Sequence, residues 1–220
     1  MGLQATQKRV PRRPRNDPRR EMTRAALIEK AEVLFADAGI EGVSLRQIGA
    51  AIGSGNDNVV AYHFGSKEAL IEAIFRYRLP AFEAKRAELL AIADREGRGQ
   101  DLPTLVHALW QPYFEQTNKD GRRTYAAFLA SVTRSDWIWI RRGLERTFPV
   151  TREIVARIEA TVPRTAKRFF MERIEMSFSI VAAALRNCDG SLRNNPRRAR
   201  DLFREALRIA TAAMVVGPDR

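Results

Sequence analysis

The side chains best suited to chemistry lie close together between residues 44 and 67. Most of them can donate or accept hydrogen bonds to bases and phosphates, and small apolar residues stand among them. They are Ser44, Arg46, Asn56, Asp57, Asn58, Val59, Ala61, Tyr62, His63 and Lys67. Arginine recognises a guanine edge with paired hydrogen bonds, and asparagine recognises adenine in the same way. The grouping predicts a surface that contacts duplex DNA, with Ser44 and Lys67 as backbone contacts at helix N-termini.

Two short helices must present these groups. Ser44 and Gln47 have the spacing of a capping box, which predicts a helix that begins at Leu45. Residues 53–58 then read GSGNDN, a composition typical of a turn. Residues 59–64 predict the second short helix. Two short helices joined by a polar turn fit a helix-turn-helix motif, and a plain helical corner in a larger bundle is the alternative.

The flanking residues favour the first interpretation. An amphipathic helix is predicted from Thr23 to the glycine at position 39, and Ser66 is a good N-cap for the helix that follows the motif. Three consecutive segments, ALIEKAEVLFADAG, VSLRQIGAAIG and VVAYHFGSKEAL, resemble the N-terminal DNA-binding domain of the tetracycline-repressor-like (TetR) family. The resemblance covers about residues 22–80. The turn is one residue longer than in many members, and Ala61 stands where members often place an aromatic residue.

The resemblance implies an all-α protein with three parts. Residues 1–21 are expected to form a basic arm, residues 22–80 the three-helix DNA-binding domain, and residues 81–220 a helical domain for effector binding and dimerisation. A homodimer that binds a palindromic operator in double-stranded DNA is implied, together with an unidentified small-molecule effector. The function implied is that of a ligand-responsive repressor of transcription.

The charge of the chain agrees with a nucleic-acid partner. The 38 Lys and Arg against 26 Asp and Glu give a net charge of +12. Residues 1–20 alone carry seven basic residues, one Asp and three Pro, which predicts a segment that is disordered when free. It is expected either to lie on DNA, as homeodomain arms do, or to act only as a solvated tail.

An aromatic-rich middle region is expected to enclose the effector pocket that the resemblance implies. The candidate lining residues are His107, Trp110, Tyr113, Phe114, Phe128 and Trp137. Aromatic residues at helical spacing are also common in ordinary cores, so a packing role for each is the alternative.

Two long amphipathic helices are predicted at the C-terminal end. Their apolar stripes are broad enough to suggest a helix-pair interface between two copies of the chain. The candidate interface residues are Phe178, Val181, Leu185, Phe203 and Ile209. The alternative is that these stripes close the core of a single protomer.

Other classes of protein lack their required groups. The sequence holds no HExxH, no phosphate-binding GxxxxGK[ST] and no GxSxG, so we expect no catalytic residues, cofactor or metal. The single cysteine, Cys188, suits a reducing cytoplasm, and no stretch approaches the ~20 apolar residues that span a bilayer. We therefore expect a cytoplasmic protein without membrane contact. A non-sequence-specific architectural DNA-binding protein and a helical enzyme or small-molecule carrier are the competing interpretations.

Overall fold

The fold is entirely helical over residues 17–145 and 147–217, the part of the chain that the computed structural model describes. This confirms the predicted all-α class. A 3-10 turn at Lys167–Phe169 precedes the ninth α-helix. The α-helices are α1 (Pro18–Ala38), α2 (Leu45–Ala51), α3 (Val59–Phe64), α4 (Lys67–Arg95), α5 (Leu102–Glu115), α6 (Thr124–Thr133), α7 (Ile138–Glu145), α8 (Pro149–Thr161), α9 (Phe170–Asp189) and α10 (Pro196–Val215).

Helix α1 begins at Pro18, earlier than the predicted start at Thr23. The reason is local: Asp17 accepts a hydrogen bond from the Arg19 backbone N–H at 3.0 Å, and Pro18 occupies the first turn, where its missing N–H costs nothing. The last residues assigned to the basic arm are thus helical. The rest of that arm, residues 1–16, lies outside the described residues.

Helix α4 runs without interruption through Pro80, although proline usually kinks or breaks a helix at an interior position. Proline removes one helical hydrogen bond. The turns that follow are held by burial, because Phe82 is fully buried and its ring lies 4.6 Å from that of Tyr113 on α5. One helix therefore extends from the end of the DNA-binding motif deep into the rest of the protein.

The N-terminal helices are fixed to the body through α1, which packs against α6 and α4. Glu32 of α1 is completely buried and accepts two hydrogen bonds from Arg78 of α4, at 2.6 and 3.0 Å. It also accepts a hydrogen bond from Thr124 of α6. At the end of α1, Arg122 pairs with Asp37. Polar contacts thus join three helices from different parts of the chain.

Helices α9 and α10 form an antiparallel pair. Arg173, near the start of α9, donates to the Ala213 carbonyl near the end of α10 at 2.7 Å, and Cys188 at the other end donates to the Ala199 carbonyl at 3.4 Å. Burial raises the pKa of the Cys188 thiol, so the sulfur stays protonated. Among the described helices, none combines the length and the apolar character needed to cross a membrane.

Candidate functional site

The start of α2 has the predicted capping box. Ser44 Oγ accepts from the Gln47 backbone N–H at 3.3 Å, and Gln47 Oε1 accepts from the Ser44 backbone N–H at 2.7 Å. These bonds satisfy two backbone donors that a helix start leaves unpaired. Ile48 is fully buried beneath the helix, while Arg46 and Gln47 face outward.

Gly49 sets the distance between α2 and α3. A Cβ atom at this position would lie 2.9 Å from Cγ1 of Val59, closer than real Cβ contacts allow. Val59 is itself only 9% exposed, and valine has little rotamer freedom with which to move away. The close crossing of the two helices therefore needs a residue without a side chain at position 49.

The turn between the helices is closed by its own polar side chains. Ser54 Oγ accepts from the Asn56 backbone N–H at 3.1 Å, and Asn56 Oδ1 accepts from the Asn58 backbone N–H at 2.9 Å. Asn56, Asp57 and Asn58 are all exposed, as a DNA contact requires. Asn56, however, already accepts one hydrogen bond through its carbonyl oxygen within the turn, so that oxygen has less capacity left for a nucleic acid than the amide N–H groups.

Arg46 and Asp57 form an ion pair across the motif, with Nε 3.2 Å from Oδ2. Both side chains are mostly exposed, at 77% and 62%. Such a pair contributes ~1 kcal/mol or less. The Arg46 guanidinium can therefore leave Asp57 for a base or phosphate at small cost.

Helix α3 turns Ala61 and Tyr62 toward solvent, and Tyr62 is 68% exposed. The prediction that Val59 contacts DNA is corrected. Val59 is buried against α2, so its side chain holds α3 in place and cannot reach DNA. The residues that can reach DNA from α3 are those one turn further along.

His63 is half-buried beside Tyr62, with the two rings edge to face at 5.2 Å. Its Nδ1 atom has no hydrogen-bond partner among the described residues. Burial lowers the pKa of His63, and the positive charges of Arg20 and Arg24 lower it further. The imidazole is therefore neutral at pH 7. Because Nδ1 is buried, only the rest of the ring is available to a nucleic acid.

Two arginines on α1 belong to this surface although they were not among the predicted contacts. The guanidinium of Arg20 lies 5.7 Å from the ring of Tyr62, and that of Arg24 lies 5.0 Å from the ring of Phe64. The two arginines are four residues apart in the sequence, which places them on one face of a helix. This signal was missed because Arg20 was assigned to the basic arm. Lys67, at the first position of α4, is half-buried with its ammonium 5.7 Å from the ring of Phe35.

A separate cavity of about 700 Å³ lies between helices α4 to α9. Its wall is rich in aromatic rings and also carries charged groups of both signs. The aromatic residues are Phe75, Trp110, Tyr113, Tyr125 and Phe148, and the charged ones are Arg86, Arg141, Arg152, Glu159 and Glu175.

The cavity includes only two of the six predicted pocket residues, Trp110 and Tyr113. The prediction is corrected for three of the other four, because their side chains are engaged elsewhere, and for His107 it stays a prediction. Phe128 packs in the core against Phe35 and Phe75, Phe114 stacks on Phe203 at 4.5 Å, and Trp137 donates to Glu41 at 2.6 Å. His107 lines a smaller pocket beside α4, where burial lowers its pKa.

The prediction of a dimer interface is also corrected for four of its five residues. These four are buried inside the protomer and cannot face a second chain: Phe178, Val181, Leu185 and Phe203. The apolar stripe of each helix faces the body of its own chain, as the alternative interpretation held. Ile209 is 48% exposed and remains available.

The arrangement of α1 to α3, with a tightly crossed helix pair and an exposed basic and aromatic surface, is that of a DNA-binding helix-turn-helix protein. Residues 27–74 match the family described as bacterial regulatory proteins, tetR family. Over these residues the chain matches the TetR family, and they include the helix-turn-helix formed by α2 and α3. The prediction made from the three sequence segments is confirmed.

A curated relative is similar over less than half of the chain. This relative is the HTH-type transcriptional repressor NicS of Pseudomonas putida, with 32% identity over 94 residues. That match covers 42% of this chain and spans 42% of the length of NicS. A crystal structure of the TetR family transcriptional regulator PfmR from Thermus thermophilus aligns with 88% of this chain and 99% of its own, at 19% identity and a TM-score of 0.46.

Proposed function

We propose that this protein is a repressor of transcription that binds operator DNA as a homodimer and responds to a small molecule. Residues 22–80 would read DNA, and residues 81–220 would carry the effector cavity and the dimer interface. The observation that carries the proposal is the exposed cluster around α3. Tyr62 and Arg46 project from adjacent helices, and Arg20 adds positive charge beside them.

Within this surface we assign different roles to different side chains. Tyr62, Lys67 and Ser44 would contact the DNA backbone, because hydroxyl, ammonium and helix N-terminal groups are typical phosphate partners. Arg46 would read a base edge or a flanking phosphate once it leaves Asp57. Asn58 and Ala61 lie at the exposed side of α3 and would face the major groove.

The experiment that tests DNA reading uses an operator selected from random duplexes and fluorescence anisotropy. Tyr62→Ala should weaken operator binding without loss of helicity, because Tyr62 is exposed and contributes little to the core. Arg46→Ala should cost ~1–3 kcal/mol and relax preference at one base pair if it reads a base.

Arg204→Ala is the matched control, because this arginine is 73% exposed on α10, a helix of the C-terminal part. It removes one positive charge without touching the motif. Unchanged operator affinity for both Tyr62→Ala and Arg46→Ala would remove α2 and α3 from the interface. An equal decrease for Arg46→Ala on operator and random DNA would make Arg46 a phosphate contact.

For the dimer we propose the exposed faces of α9 and α10. Ile209 and Val216 are 48% and 59% exposed and lie two helical turns apart, and Met176 on α9 is 53% exposed. A pair of chains presents two reading helices to two half-sites, which a single helix-turn-helix cannot do. Ile209→Glu should give a folded monomer with weak operator binding in sedimentation experiments.

Phe203→Glu separates the two interpretations of the C-terminal helices. Because Phe203 is buried in the protomer, a carboxylate there should unfold the chain and not merely divide a dimer. A dimer that persists in Ile209→Glu would exclude this face. Gln100→Glu, which adds the same negative charge at an exposed position between α4 and α5, is the control.

The strong basic charge supports a second candidate, a non-sequence-specific architectural DNA-binding protein. A net charge of +12 attracts any duplex through its phosphates. A titration of salt with operator and random duplex distinguishes the two. A sequence-specific regulator binds its operator at least ~10³-fold more tightly than random DNA, whereas an architectural protein shows similar affinities.

A further inference from the structure

The wall of the 700 Å³ cavity includes Trp110, a residue whose buried indole N–H has no hydrogen-bond partner among the described residues. Trp110 is 2% exposed, and its Nε1 has no hydrogen-bond partner among the described residues. A buried donor without an acceptor costs free energy, and native proteins rarely leave one unpaired. Because Trp110 belongs to the cavity wall, a ligand that reaches this N–H would supply the missing acceptor.

Arg86 brings a positive charge to the same wall. Its side chain is 2% exposed overall and donates to the Leu109 carbonyl from Nε at 3.2 Å and Nη2 at 3.0 Å, and to Thr151 Oγ1 from Nη1 at 2.9 Å. A guanidinium has five N–H groups, so these bonds leave spare donors. Glu83 forms an ion pair with Arg86 over 3.7 Å, from Oε1 to Nη1, without a hydrogen bond between them.

That Glu83 carboxylate is occupied by another partner. It accepts from the Val150 backbone N–H at 2.9 Å and from the Thr151 backbone N–H at 3.2 Å, and so caps the start of α8. The two carboxylates that line the cavity itself lie nearer to solvent than Arg86, since Glu159 is exposed and Glu175 half-buried. Among the charged residues of the cavity wall, Arg86 is therefore the most buried.

Another part of the cavity wall is formed by aromatic rings. The rings of Tyr113 and Tyr125 are parallel within 3° with centroids 6.0 Å apart, and Phe75 meets Tyr125 edge to face at 6.3 Å. Burial raises the pKa of Tyr125 well above its usual range, so its hydroxyl keeps its proton and can donate. Aromatic rings arranged in this way favour a planar, unsaturated ligand through offset and edge contacts.

We propose that this cavity binds a planar aromatic carboxylic acid of one or two rings, with its carboxylate directed to Arg86 and the Trp110 N–H. The proposal rests on the effector role assigned to the cavity above, and it names the chemical class of the effector. The volume is in the range of small-molecule sites and exceeds the needs of a single small anion.

Calorimetric titration of the full chain with four matched probes tests the chemistry. The probes are 2-naphthoate, 2-naphthamide, 2-methylnaphthalene and decahydro-2-naphthoate. Binding should be tightest for 2-naphthoate, about tenfold weaker for the neutral amide, and weaker still for the two probes that lack either the acceptor or the flat rings.

Trp110→Phe removes the N–H and keeps an aromatic ring, so it should lower the affinity for 2-naphthoate about tenfold. Trp139→Phe is the control, because Trp139 is 60% exposed and outside the cavity lining. The affinity of this variant for 2-naphthoate should equal that of the parent protein. The indole N–H resonance that disappears in Trp110→Phe should move when the parent protein binds 2-naphthoate. The downfield shift should be larger with 2-naphthoate than with 2-methylnaphthalene, because only the carboxylate supplies an acceptor.

The proposal is overturned if 2-methylnaphthalene binds as tightly as 2-naphthoate, if Trp110→Phe leaves the affinity unchanged, or if no probe binds at millimolar concentration. Operator binding is measured separately without any probe. Intact operator binding with no acid binding refutes only the ligand class. Acid binding that leaves operator affinity unchanged supports the ligand class and refutes the effector role.

Discussion

Glu32 offers the sharpest test of how the DNA-binding helices are held to the body. Its carboxylate is fully buried and receives hydrogen bonds from Arg78 and Thr124. Burial alone would lower the pKa of Arg78, but its hydrogen bonds and charge interaction with Glu32 raise it above the ordinary value. The guanidinium therefore stays charged and depends on Glu32. We expect Glu32→Gln to leave it facing a neutral amide.

The expected decrease in stability follows from these contacts. Removing one partner of a buried ion pair costs ~3–5 kcal/mol. Arg78 retains 19% side-chain exposure and can be partly hydrated in the variant, so we expect the lower end of that range. Thr124→Val removes a single hydrogen bond to a charged group and should cost ~1.5–3 kcal/mol. Because both variants act on one network, their effects should not be additive.

Urea unfolding followed by circular dichroism measures these decreases. Tyr77→Phe is the control, because Tyr77 donates to Glu29 at 3.0 Å in an exposed pair that also joins α4 to α1. It should cost ~0.5 kcal/mol or less. A decrease below ~1 kcal/mol for Glu32→Gln, or one equal to that of Tyr77→Phe, would refute the reasoning that the buried pair holds α1 to α4.

Three further predictions concern the DNA-binding region. Gly49→Ala should destabilise the motif by ~1–3 kcal/mol and weaken operator binding, and the added Val59→Ala should recover part of both, as unfolding and anisotropy would show. Since His63 has a pKa below the ordinary value near 6.5, the unfolded chain binds a proton that the folded chain resists, so stability should fall as pH drops below that value. The stability of His63→Phe should fall less between pH 7 and pH 5, and an equal fall would exclude His63 as the cause of the pH dependence. Residues 1–16 carry five Lys and Arg, and their deletion should reduce the slope of log K against log salt. The reduction should be ~0.9 for each phosphate that the arm neutralises in the parent. An unchanged slope would mean that the arm is only a solvated tail.

The DNA-binding motif was readable from sequence because its information is local. The capping box, the polar turn and the caps of α1 and α4 depend on residues within four positions of each other, and such signals identify helix ends directly. The start of α1 was misplaced because Asp17 was counted as part of a charged arm, although it also has the right type for a cap. The burial of Val59 was missed because it depends on Gly49, ten residues away.

The cavity and the dimer face could not be predicted in the same way. Helical spacing shows which residues share a face, but it does not say whether that face meets the same chain or another. Phe178 and Leu185 have the spacing of an interface and lie in the protomer core. Arg86 was overlooked because it looks like a surface residue in a charged stretch, and only the fold places it between α5 and α8.

Helix α4 gives a physical route from the cavity to the DNA-binding helices. Arg78 and Arg86 lie eight residues apart on it, ~12 Å along its axis, and tie it to α1 and to α8 respectively. A ligand acceptor that draws the Arg86 guanidinium toward the cavity pulls on its hydrogen bond to Thr151, so it should move α4 and α8 relative to each other. We expect Thr151→Val to reduce the ratio of operator dissociation constants with and without 2-naphthoate, while each affinity measured alone changes little. An unchanged ratio would mean that the signal leaves the cavity through another helix, since Thr151 is the side chain through which α8 accepts a hydrogen bond from Arg86.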